Sequence, residues 1–165
     1  MTERFEKAYN ALLKAFMNDT LASGTCKACA VGNIIADAMD GVVYKDDDTD
    51  DFDCNVDNAW WKDVFVTSES GQTIYKVKDD GNIKVYRKRM FELTGYEWHE
   101  LARIEKTFEN NTKIKNYSYP DYGEHEIMED QFNGLMAVMD VLIELDDVAE
   151  GQKYKNEFKN KFVKQ

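Results

Sequence analysis

The sequence predicts a mainly helical α+β fold, with about five helices packed around a central helix near the C-terminus and one β-hairpin at about residues 73–87. Apolar residues recur at helical spacing in several segments, which is the main signal for helices. The 165 residues include a single proline and nine glycines, so long stretches contain no helix breaker. The length is typical of one domain and no repeat or linker interrupts it, so we expect residues 1–165 to form a single domain.

The first two helices are expected to form a helical hairpin. The first should span residues 3–21, with Thr2 as N-cap and a stop at Ser23-Gly24. Its apolar residues have helical spacing: Phe5, Tyr9, Leu12, Leu13 and Phe16. Thr25 can cap a second helix whose small residues would allow close packing on the first.

The hairpin prediction rests on residues 72–89, QTIYKVKDDGNIKVYRKR. Two runs of β-branched and aromatic residues flank a turn at 79–82, where Asp-Gly and Gly-Asn pairs suit the positive φ angles of tight turns. Because an isolated hairpin is only marginally stable, we expect it to lie against helices.

Three later segments predict helices. Residues 97–110 have one apolar face, whereas residues 126–145 are apolar on two sides, which is typical of a central helix. We expect the helices at 3–21 and 97–110 to pack on this central helix, with Gly134 allowing a close crossing. The last helix carries Tyr154, Phe158 and Phe162 at intervals of four residues in a lysine-rich frame.

The charge is negative and uneven. The chain has 32 acidic and 21 basic residues, a net charge of −11, and residues 46–80 alone contribute −8. Such a balance argues against direct binding to nucleic acid or anionic membranes, both of which require lysine and arginine. It favours a protein partner with a basic surface, although solubility alone would also explain it. The residues we expect to form the acidic binding surface are Asp46, Asp47, Asp48, Asp50, Asp51 and Asp53.

The location of the protein is expected to be cytoplasmic. The first residues carry charges of both signs and lack the apolar core of a signal peptide, and no apolar run reaches the length of a membrane-spanning helix. Three cysteines in such a chain are most simply reduced thiols.

The pair Cys26-x-x-Cys29 has three interpretations. Two small side chains could simply pack the helical hairpin. Alternatively, the pair could form half of a zinc site completed by Cys54 and by His99 or His125, since tetrahedral zinc takes four sulfur or nitrogen ligands. A redox dithiol is the third, because a helix N-terminus favours the thiolate.

The acidic run also resembles part of a calcium loop. Asp46, Asp48 and Asp50 match the first three alternating ligands of an EF-hand, but Asp51 replaces the required glycine and Asp57 replaces the final glutamate. A solvated loop, or a polyanion that docks on a basic protein and competes with nucleic acid, fits the residues better.

Catalytic motifs are few. The two histidines lie in no recognised catalytic pattern, and no phosphate-binding or nucleophile motif occurs. His125 lies between Glu124 and Glu126, which leaves a small enzyme of unknown reaction as one alternative, but no reaction can be named.

Three short strings resemble an uncharacterised family of small acidic proteins from Bacteroidota phages and mobile elements. They are GTCKACAVGN at residues 24–33, Thr94-Gly95-Tyr96, and NGLM at residues 133–136. The resemblance implies no known activity and no functional residues. It implies an interaction protein, such as a modulator or inhibitor of a host defence or nucleic-acid-processing protein.

The leading hypothesis is therefore a non-enzymatic, acidic protein-binding module without a cofactor. A zinc-stabilised structural module and a small enzyme remain the alternatives.

Overall fold

A computed structural model describes residues 2–18, 21, 29–38, 66–67, 74–75, 90–114 and 122–164. Within these ranges the named helices are α1 (Glu3–Met17), α2 (Ala30–Ala38), α3 (Trp98–Asn110), α4 (Glu124–Asp146) and α5 (Gly151–Lys164). Residues 90–94 are also helical. The described strands are β1 (Val66–Thr67) and β2 (Ile74–Tyr75), which pair antiparallel with Val66 opposite Tyr75.

The predicted α+β class is wrong, because the residues that the structure describes are mostly helical. The hairpin at 73–87 is not seen: its first strand, β2, pairs with the upstream β1. Residues 76–89, which hold the expected turn and second strand, lie outside the described residues. The turn signal at 79–82 indicated a partner after β2, whereas the partner that forms, β1, lies just before it. Two paired residues per strand are too few to form a layer of the fold.

The α1 helix begins as predicted and ends earlier. The Thr2 hydroxyl accepts a hydrogen bond from the Phe5 backbone N–H at 3.3 Å, which confirms the N-cap. The helix ends at Met17, not at residue 21, because Asn18 leaves the helical conformation as the C-cap. Asparagine disfavours a helix interior, since its side chain competes for backbone hydrogen bonds.

The α3 and α4 helices cross closely at Gly134, as the sequence predicted. A Cβ atom at this position would lie 2.5 Å from Thr112 Cγ2 and 2.9 Å from the Phe108 ring. No side chain fits there without displacing its neighbours, so glycine sets the distance between the two helices. The start of α3 is fixed by a capping box between Glu97 and Glu100.

The α4 helix is central to the described core. Its buried residues face α3 and α1, which pack on it as predicted, and α5 packs on a further side. The largest fully buried side chains come from every part of the bundle: Tyr96, Phe5, Phe108, Phe158, Leu12, Leu21, Ile35, Met90, Leu101 and Ile104. Among the described helices, none combines the length and apolar content needed to cross a lipid bilayer.

Candidate functional site

Most of the residues predicted to bind a partner or a metal lie outside the described residues. This holds for the whole acidic run, Asp46, Asp47, Asp48, Asp50, Asp51 and Asp53, and for Cys26 and Cys54. The binding surface expected from the acidic run, the calcium alternative and the dithiol therefore stay predictions.

Three of the candidate metal ligands are described. Cys29 lies just before α2 and is 1% exposed, and its Sγ accepts a hydrogen bond from the Gly32 backbone N–H at 3.4 Å. His99 and His125 are exposed, on α3 and at the start of α4. The described residues contain no group of three or more histidine, cysteine, aspartate or glutamate side chains that could hold a metal ion. The zinc alternative thus depends on Cys26 and Cys54.

A charged cluster that the sequence did not predict joins the start of α1 to α3 and α4. The Arg4 guanidinium donates hydrogen bonds to the Asp146 carboxylate at 2.8 and 2.5 Å, to Glu100 at 2.9 and 3.3 Å, and to the Gly95 carbonyl at 3.0 Å. Asp146 also accepts a hydrogen bond from the Thr2 hydroxyl. Arg4 is 91 to 142 residues away in the sequence from the groups that it binds, so no local pattern could have indicated this cluster.

The cluster is compact and internally neutralised. Arg4 lies over the Tyr96 ring, with the guanidinium carbon 4.4 Å from the ring centroid. Desolvation lowers the Arg4 pKa, but hydrogen bonds to Asp146 and Glu100 outweigh it and raise the pKa above its ordinary value. Burial raises the pKa of the Tyr96 hydroxyl. An arginine held between two carboxylates is suited to holding helices together, and the raised pKa values keep Arg4 and Tyr96 protonated at neutral pH.

Two grooves lie on the described surface. One, of about 280 Å³, lies between α1, α2 and residues 93–94, and the other, of about 370 Å³, lies beside the C-terminal end of α4. Several of their charged residues have partners: Lys7 pairs with Glu3, and Asp146 with Arg4.

A second ring cluster lies where the C-terminal ends of α1 and α5 meet the start of α4. The Phe162 ring stacks on Phe132, with centroids 4.7 Å apart, and on His125 at 5.8 Å, and it lies 6.3 Å from Phe16. We call these four residues the aromatic end. His125, the proposed catalytic residue of the enzyme alternative, therefore uses one face of its ring for packing.

The charges of the last two helices are opposite. The α4 helix has seven acidic residues and no basic one, whereas α5 has five lysines and one glutamate. Lys155 of α5 donates to Asp140 of α4 at 2.7 Å. The first two turns of α4 carry three exposed glutamates, Glu124, Glu126 and Glu129. These three glutamates give the described surface an acidic region that is separate in sequence from the acidic run.

Comparisons with protein-family models, with curated proteins and with solved structures gave no match to this chain. Its function is therefore proposed from its own residues.

Proposed function

We propose that this protein is a non-enzymatic, acidic module that binds a partner protein through a basic surface of that partner. The observation that carries the proposal is the charge: −11 over the chain, with eleven acidic and three basic residues between positions 46 and 80. Opposite potentials on two surfaces accelerate association and disfavour wrong partners. A chain of this charge repels nucleic acid, so it would act on a protein rather than on the phosphate backbone.

The α4 helix supports the same proposal from the described residues. It contributes seven acids and no base, and Glu124, Glu126 and Glu129 are exposed at its start. Acidic side chains at the start of a helix also interact favourably with the helix dipole, which is one reason for their presence there. Because these three glutamates are exposed, they also add to the negative potential of the surface.

The partner class follows from the chemistry of a polyanion. Proteins that bind nucleic acid present clustered lysine and arginine, and a run such as DDDTDD can compete for that surface. Together with the resemblance to small phage proteins, this supports a phage-encoded modulator or inhibitor of a host defence or nucleic-acid-processing protein.

The test is a pull-down of the tagged protein from host lysate at low and at high salt, with bound proteins identified by mass spectrometry. We expect one stoichiometric partner that is lost as salt rises. A variant in which Asp46, Asp47, Asp48, Asp50 and Asp51 become asparagine should lose it as well. The matched control removes the same number of charges elsewhere, at Glu3, Glu6, Glu92, Glu150 and Glu157, and should keep the partner.

Two outcomes would overturn the proposal. One is the absence of a stoichiometric partner at either salt concentration. The other is a partner that the neutralised variant and the control bind equally well, because binding would then not use the acidic run.

A further inference from the structure

We draw no further inference here: the strongest candidate, the groove of about 370 Å³ beside the C-terminal end of α4 with Asp146, Asp147 and Glu150 in its lining, rests on a cluster of acidic side chains, and nothing in the part of the chain that the structure describes shows what would bind there.

Discussion

Arg4, in the first turn of α1, is held by Asp146, the last residue of α4, through two hydrogen bonds to one carboxylate oxygen. The Asp146 side chain is 3% exposed and that of Glu100 is 12% exposed, so both carboxylates depend on Arg4 for compensation. The interaction fixes the start of the first helix against the end of the longest one.

Replacing Arg4 by methionine should lower the free energy of unfolding by about 2–4 kcal/mol. The substitution keeps much of the apolar stem but leaves two largely buried carboxylates without their partner, which is costly. Urea denaturation gives the value. Lys7→Met, which breaks an exposed pair with Glu3, is the control and should have little effect. Equal losses in the two variants would show that the Arg4 cluster is not a stabilising contact.

Tyr96 should make the protein sensitive to alkaline pH. Tyrosine in the unfolded chain titrates near pH 10, whereas burial raises the pKa of Tyr96 in the folded protein. As the pH rises, Tyr96 therefore loses its proton in the unfolded chain before it does so in the folded protein. The stability is fully present below about pH 10. It is lost at up to about 1.4 kcal/mol per pH unit as the pH rises toward the pKa of Tyr96 in the folded protein.

The variant Tyr96→Phe should remove this part of the alkaline loss. At neutral pH it should be neutral or stabilising by up to about 1 kcal/mol, because the Tyr96 hydroxyl is buried with no hydrogen-bond partner among the described residues. Thermal unfolding between pH 7 and pH 11 measures both effects. Tyr122→Phe, at an exposed position, should follow the wild-type pH dependence. If Tyr96→Phe does the same, Tyr96 is not the group responsible.

Gly134→Ala should destabilise the protein by about 1–3 kcal/mol. Alanine favours a helix over glycine by about 1 kcal/mol, but its methyl group would meet Thr112 and Phe108 at distances that force α3 and α4 apart. Asn133→Ala, at the exposed neighbouring position, has the propensity gain without the clash and should be slightly stabilising. Denaturant titration of both variants checks the prediction, and a more stable Gly134→Ala protein would contradict the close crossing.

If the pair Cys26-x-x-Cys29 only packs the helical hairpin, zinc should be present at far less than one equivalent in protein purified without chelator. Cys29 is 1% exposed and accepts a hydrogen bond from the Gly32 backbone N–H, whereas Cys26 and Cys54 lie outside the described residues. Elemental analysis measures the content, and Cys29→Ala should purify with an unchanged level of zinc. One equivalent of zinc that is lost on substituting Cys26, Cys29 or Cys54 would instead establish the zinc-stabilised module.

Helices with a clear apolar face could be predicted from the sequence to within a few residues. Phe5, Tyr9 and Phe16 placed α1, and the two apolar sides of residues 126–145 indicated the central position of α4. These predictions succeeded because burial of one helix face depends on spacing within a single segment. The hairpin prediction failed because the turn signal at 79–82 placed the partner of β2 after it in the chain, whereas β2 pairs with β1, which precedes it.

The Arg4 cluster and the aromatic end could not be predicted, because each joins residues that are far apart in the sequence. Arg4 in the sequence is an ordinary surface charge in a first helical turn, where an acid would be the expected residue. Its partners lie near positions 95–100 and at 146, and only the packing of α1 across α3 and α4 brings them together. The stacking of His125 on Phe162 was likewise not indicated by any local pattern, and the role of His125 in the enzyme alternative stays a prediction.

The ion pair between Arg4 and Asp146 also has a consequence for folding during synthesis of the chain. A ribosome releases α1 long before α4, so Arg4 must wait for more than 140 further residues before its carboxylate partner exists. During that interval α1 can pack on α2 but lacks α4, and exposed apolar surface on a nascent chain is prone to aggregate or to recruit chaperones. Completion of the fold is thereby tied to emergence of the end of α4, and a chain cut short before that point would lack the contact that fixes its own first helix.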